Sequence, residues 1–201
     1  FGQGYLAKLN YYRIPLIDLN RLRRNSTGAD YTDDSVQREY RRVSFNDGVL
    51  NIVRRLLRVN RRGILLFSRF VEEAQYISDS LPGMAAIVSQ NTPKKERERI
   101  LADFKAGRIK VVTNVGVLTT GFDYPELDTV VLARPTLSLA LYYQMVGRAI
   151  RPHPSKAEGW IVDLCGNFNR FGRVEDLQLA SYKPGTYCIQ NRTRVLTNVY
   201  M

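Results

Sequence analysis

From Asn46 onward the apolar positions fall into two alternating rhythms. Val49, Leu50, Ile52, Val53, Leu56 and Leu57 recur at helical spacing with Arg54, Arg55 and Arg58 between them, which predicts a helix with a packed stripe beneath an arginine-rich face. A solvated outer face is the ordinary reading of those arginines. The continuous run Gly63 to Ser68 predicts a strand, and Phe70, Ala74, Ile77 and Leu81 predict the helix after it. Ala85 to Ser89 is the next strand. Thr92 and Pro93 then read as N-cap and first residue of a helix whose Ile100, Leu101 and Phe104 face inward. Ile109 to Thr113, Thr129 to Leu132 and Trp160 to Asp163 supply three further strands. Short β-branched runs alternating with helices predict an α/β three-layer domain over 46–175, its mainly parallel sheet flanked by helices.

Outside that span the pattern weakens. Residues 1–45 read as a lead-in or interdomain linker, with an extended candidate at Tyr11 to Leu19 and a polar loop at Asn25 to Asp30. Residues 176–201 read as a C-terminal extension with a basic-aromatic tail, and there is no internal repeat.

Between the last two strands lies a segment of a different kind, Leu139 to Arg151, whose spacing predicts a helix. At about 100° per residue, Arg148 and Arg151 fall about 40° and about 20° to either side of Gln144. Leu139, Tyr143, Val146 and Ile150 cluster opposite. One face is therefore expected to be core and the other a cationic fork, suited to delivering guanidinium groups to a phosphate with little positional freedom. Taken alone, the same pattern also describes an amphipathic surface helix with two solvated arginines.

Composition narrows the classes. Thirty Lys and Arg against nineteen Asp and Glu give a net charge of +11, which favours a polyanionic partner such as DNA, RNA or nucleotide. Cys165 sits in an apolar run, so a buried free thiol is expected, and with it a reducing compartment. One histidine, His153, and two scattered cysteines make neither a zinc ligand set nor a His-based triad. No protein-held structural metal is expected. No apolar run approaches the roughly twenty residues that cross a bilayer, and no leader is evident. A soluble, cytoplasmic protein without a membrane partner is the expectation. The absence of an initiating Met suggests a piece of a larger protein.

In open parallel sheets ligands gather at the carboxyl ends of the strands. That rule selects Ser68 and Arg69, Thr113 and Asn114, and Arg134 to Thr136. The stretch Thr113 to Pro125 is dense in hydroxyls and glycines with one acid, Asp123. Its backbone N–H groups and hydroxyls suit a sugar-phosphate chain, while Asp123 suits a ribose hydroxyl or an arginine. Asp123-Tyr124-Pro125 also reads as a plain turn.

The ordered set of segments resembles the C-terminal RecA-like domain of superfamily 2 helicases and translocases. Gly63 to Arg69 looks like motif IV, Thr113 to Pro125 like motif V, and Gln144 to Arg151 like motif VI. Ser89 to Thr92, with Glu96 and Arg97, resembles the superfamily's backbone-touching segment. Gly4 to Leu9 and Asp163 to Gly172 are similar to segments of bacterial RadD-type DNA repair helicases and related phage enzymes, although the cysteine-rich zinc elements general in that family are missing here. The resemblance implies roles. Arg148 and Arg151 would be arginine fingers toward ATP bound, with Mg²⁺, mainly by an N-terminal RecA-like domain of the same parent chain. Gly121 and Asp123 would line the nucleotide cleft, Gln144 would bind near the nucleotide or couple the two domains, and Ser68, Arg69, Thr92, Thr113 and Asn114 would hold the nucleic-acid backbone, DNA ahead of RNA.

Neither a G-x-x-x-x-G-K-[S/T] loop nor an acidic D-E-x-x box occurs. The chain alone is therefore expected to lack ATPase activity. The competing class is a non-catalytic basic nucleic-acid-binding module. An α/β enzyme acting on a small anion would need an acid-base pair that the chain does not offer.

Overall fold

The computed structural model describes residues 7–61, 63–117, 124–149, 151–183 and 185–200. Six parallel strands form the central sheet: β1 (Leu9–Arg13), β2 (Ile64–Ser68), β3 (Ala85–Ser89), β4 (Val111–Val115), β5 (Thr129–Ala133) and β6 (Gly159–Asp163), in the order β1-β6-β5-β2-β4-β3. Around it pack α1 (Asp33–Arg42), α2 (Phe45–Arg58), α3 (Val71–Asp79), α4 (Lys94–Lys105), α5 (Leu139–Val146) and α6 (Asn167–Phe171).

The strands are apolar throughout because both faces of the sheet are covered. Leu65, Phe67, Val112, Val130, Leu132 and Ile161 point into one core with α4 and α5. Their neighbours Ile64, Leu66, Val111, Val131 and Val162 point into the other with α1, α2 and α3. This is the three-layer α/β arrangement expected from the periodicity. The boundaries of the strands around β2, β3 and β5 agree with the sequence reading to within a residue, whereas β4 begins at Val111, two residues after Ile109.

The stretch expected to be a lead-in contributes more than a connection. β1 pairs in parallel with β6, Leu9 opposite Gly159 and Arg13 opposite Asp163. The extended residues thus begin at Leu9 and stop short of Leu19. α1 starts at the Thr32 cap, whose hydroxyl oxygen accepts from the Ser35 N–H. It buries Val36 and Tyr40, and its Glu39 is buried but satisfied by Arg42 at 2.7 and 2.8 Å and by the Asp18 N–H at 2.9 Å.

One local expectation is corrected. Thr92 does not cap α4: the helix begins at Lys94 after Pro93, and the Thr92 hydroxyl oxygen accepts from the Ser89 N–H at 2.9 Å instead. Beyond 176, in the stretch read as a C-terminal extension, the chain forms a three-stranded antiparallel sheet of β7 (Gln178–Lys183), β8 (Thr186–Gln190) and β9 (Val195–Tyr200). Leu177 and Leu196 pack it against the α4–α5 core. Cys165 and Cys188 are both buried free thiols. Among the described residues no helix is long and apolar enough to cross a membrane.

Candidate nucleotide and nucleic-acid interface

α5 is capped by Ser138, whose hydroxyl oxygen accepts from the Leu141 N–H at 3.2 Å. Its buried stripe is Tyr142, Met145 and Val146, continued by Ala149, each 0% exposed. These positions obey i, i+3, i+4, i+7 spacing. The expected apolar face, Leu139, Tyr143, Val146 and Ile150, is therefore turned by about one residue, roughly 100°. Tyr143 is 53% exposed and Leu139 half-buried, while Ile150 lies outside the described residues.

A second correction concerns the arginines. The helix ends at Val146, and the next turn tightens: Arg148 N–H donates to Met145 O at 3.3 Å and Ala149 N–H to Val146 O at 3.0 Å. Arg151 therefore does not continue the helix with Gln144. Pro152 explains this, because a residue before proline is pushed out of helical geometry. Gln144, Arg148 and Arg151 are all half-buried, and Arg148 Nε donates to Gln144 O at 3.4 Å. Arg148 stands on the turn that follows a fully buried helical stripe, and Arg151 lies beyond that turn.

Of the other expected site residues, several serve the fold. Thr113 and Asn114 are 0% exposed. The Thr113 hydroxyl lies 3.2 Å from Ala74 O, and Asn114 Oδ1 accepts from Val117 N–H at 3.3 Å. Ser68 is 2% exposed. The Arg69 side chain is 8% exposed and held by Asp33 at 2.8 Å, Asp30 at 3.3 Å, Tyr31 O at 2.6 Å and Pro135 O at 3.3 Å. A strand-end position did not translate into surface access for these four residues: Asp30, Tyr31 and Asp33 cover Arg69, and Thr113 packs against Ala74 of α3 and Ala86 of β3. Thr92 does reach the surface, beside exposed Lys94 and Lys95. Gly121 and Asp123 lie outside the described residues.

Sequence reasoning missed the groups that organise this edge. Asp30 accepts from Leu137 N–H at 3.0 Å and lies 4.0 Å from Arg134, whose guanidinium is lowered from its ordinary pKa by burial and then by Arg69. Asp163, raised by burial, accepts from the N–H groups of Cys165 and Phe168 and from Asn167 Nδ2. Asn167 in turn accepts from Thr136 N–H at 3.0 Å. The dense polar residues around Asp30 were a signal of sorts, read only as loop. Among the described residues no group of three or more His, Cys, Asp or Glu is placed to hold a metal ion.

Comparison with known proteins agrees with this architecture. Residues 48–153, over half of the chain, match the family described as helicase conserved C-terminal domain. The chain is 33% identical over 170 residues to a 51.5 kDa protein of a Lactococcus phage (isolate 7-9), covering 83% of this chain and 36% of that protein. It is 42% identical over 79 residues to IRC3 of Saccharomyces cerevisiae, named as an ATP-dependent helicase, covering 39% of this chain and 12% of that one. A fragment of an HsdR subunit of a type I restriction enzyme from Vibrio vulnificus YJ016 superposes with a TM-score of 0.64 at 23% identity, covering 85% of this chain and 34% of that chain. The chain thus spans about a third or less of these relatives' lengths. On the family match, with which the fold agrees, the chain belongs to the helicase conserved C-terminal domain family.

Proposed function

We propose that this domain completes an ATPase centre by presenting Arg148 and Arg151 as arginine fingers to ATP bound on an N-terminal RecA-like domain of the same parent chain. The observation that carries the reading is that Arg148 stands on a tight turn directly beyond the buried Tyr142–Met145–Val146–Ala149 stripe, with Arg151 three residues further along the chain. Phosphoryl transfer is accelerated mainly by positioning and charge neutralisation, so groups held this way suit it. The donor set fits a polyphosphate: two guanidiniums, with the Gln144 amide one turn away. Gly121 and Asp123 are proposed to line the same cleft. Bound ATP with Mg²⁺ supplies the transferable phosphoryl group, and no residue here is assigned to the metal.

Nucleic acid is proposed to pass along the Thr92 edge, where Lys94 and Lys95 add exposed charge. The likeness of Asp163 to Gly172 to RadD-type repair helicases favours DNA over RNA. Arg148→Ala and Arg151→Ala in the parent chain test the reading. Each is expected to lower ATP turnover by about 10³-fold, with nucleic-acid affinity retained. Unchanged turnover would favour a non-catalytic binding module. The 201-residue chain alone is expected to hydrolyse no ATP.

A further inference from the structure

Lys156 is the one buried ammonium group among the described residues that the preceding reading leaves unused. It is 9% exposed, and its Nζ donates to Leu127 O at 3.0 Å and to Ala149 O at 3.1 Å. Those carbonyls belong to two segments far apart in sequence. Leu127 lies two residues beyond Pro125, where the motif V stretch ends, and Ala149 lies between Arg148 and Arg151. We propose that Lys156 is a positioning residue for the arginine pair, locking the turn that carries Arg148 and leads to Arg151 to the end of the motif V segment through these two carbonyls. The inference rests on the arginine-finger reading for its functional consequence, though not for its geometry.

Three further observations support the clamp. The turn that carries Lys156 has its own ties, Lys156 N–H donating to His153 O at 2.9 Å and His153 Nε2 lying 3.6 Å from Glu126 Oε1 on the same loop as Leu127. From the other side Gly159 presses on the same carbonyl: a Cβ there would stand 2.8 Å from Ala149 O, so only glycine lets β6 approach so closely. Finally, α5 has already ended at Val146, so helical hydrogen bonds do not set the direction of Arg148 and Arg151. Burying an ammonium is unfavourable unless its protons are taken up by acceptors. Desolvation indeed lowers Lys156 to about 8, with Asp128 opposing and Arg61 assisting. An apolar side chain of similar length would fill the space without that cost but would leave both carbonyls without their donor. Misplacing catalytic groups by about 1 Å can lower a rate by about 10²-fold.

The test uses the full chain that joins these residues to the N-terminal RecA-like domain. Lys156→Met is expected to speed hydrogen exchange of the amides in 147–149 by about tenfold or more while amides of β2 and β4 keep their protection, which verifies an intact fold. It is also expected to lower kcat for ATP hydrolysis by about tenfold with KM for ATP little changed, the signature of an interaction felt in the transition state. Lys156→Arg, which keeps the donors, should recover most of both. Unchanged exchange at 147–149 would overturn the clamp, and faster exchange with unchanged kcat would overturn its positioning role. If Arg148→Ala itself leaves turnover intact, the arginine-finger reading fails instead, and with it the positioning role, whereas the exchange result still decides the tie.

Discussion

Arg69 Nε donates to Asp33 Oδ1 at 2.8 Å, joining the end of β2 to the first turn of α1 across thirty-six residues of sequence. With Asp30 on its other side, the guanidinium acts as a rivet between the chain before Asn46 and the carboxyl edge of the sheet.

Arg69→Met should therefore destabilise the domain by about 2 kcal/mol, less than the 3–5 kcal/mol of a fully buried pair because Asp33 is largely exposed. Asp33→Asn should change stability by roughly 0.5 kcal/mol or less, since the Asp33 carboxylate is 69% exposed. Urea melts at neutral pH measure both. Equal losses would show that the exposed arm, rather than the buried network, holds α1 in place.

Glu73 predicts a pH dependence of stability. Desolvation raises its carboxyl to about 8, opposed by hydrogen bonds from the Phe70 and Arg69 N–H groups. In the window between the ordinary carboxylate range and about 8, the folded state therefore binds a proton that the unfolded state has lost. The stabilisation is complete below that ordinary range and disappears as pH rises toward 8. Glu73→Gln keeps a carbonyl acceptor for the Phe70 N–H without a titrating group. Its melting temperature should match that of the wild type near pH 4 and exceed it increasingly up to about pH 8. A constant offset across this range would contradict the assignment.

The legible parts of the fold were those whose physics is local. β2 could be read because Ile64 to Phe67 is apolar at every position, as a strand covered on both faces must be. α2 could be read because its arginines interrupt its apolar residues at helical spacing. β1 could be read only in part, as an extended candidate from Tyr11: Leu-Asn-Tyr-Tyr-Arg carries a single buried residue, Leu9, and its strand character comes from pairing with β6. The orientation of α5 was ambiguous for a different reason. Nearly every residue of Leu139–Val146 is apolar, so two stripes fit its sequence and only packing against β5 and α6 chooses between them. Lys156 was invisible altogether, because a lysine is buried by carbonyls that distant segments bring to it.

That choice of stripe is itself testable. Tyr142 is fully buried, stacks on Phe171 with ring centroids 5.0 Å apart and donates its hydroxyl to Gly172 O at 2.7 Å. Tyr142→Phe should cost about 1 kcal/mol for the lost hydrogen bond, and Tyr142→Ala about 3–5 kcal/mol for the cavity. Tyr143→Ala, at an exposed position, should stay within about 0.5 kcal/mol. The reverse ranking in thermal or chemical melts would restore the Leu139–Tyr143–Val146 face.

The division between buried and exposed candidates also separates stability from nucleic-acid affinity. Thr113→Val removes a hydroxyl that reaches Ala74 O inside the α3–β4 packing, so it should lower stability by about 1 kcal/mol. It should leave binding to single-stranded or duplex DNA unchanged, because nothing at 0% exposure can touch a phosphate. Lys94→Ala and Lys95→Ala should behave oppositely. Both side chains stand in solvent at the start of α4 beside Thr92, so their removal should leave melting nearly unaltered. Each lysine that neutralises a phosphate should, when removed, reduce the slope of log affinity against log salt by about one. Fluorescence anisotropy across a salt series reads this slope directly. Should Thr113→Val alter that slope while the lysine variants do not, the backbone path would have to run through the β4 end, and the domain would have to open there to admit it.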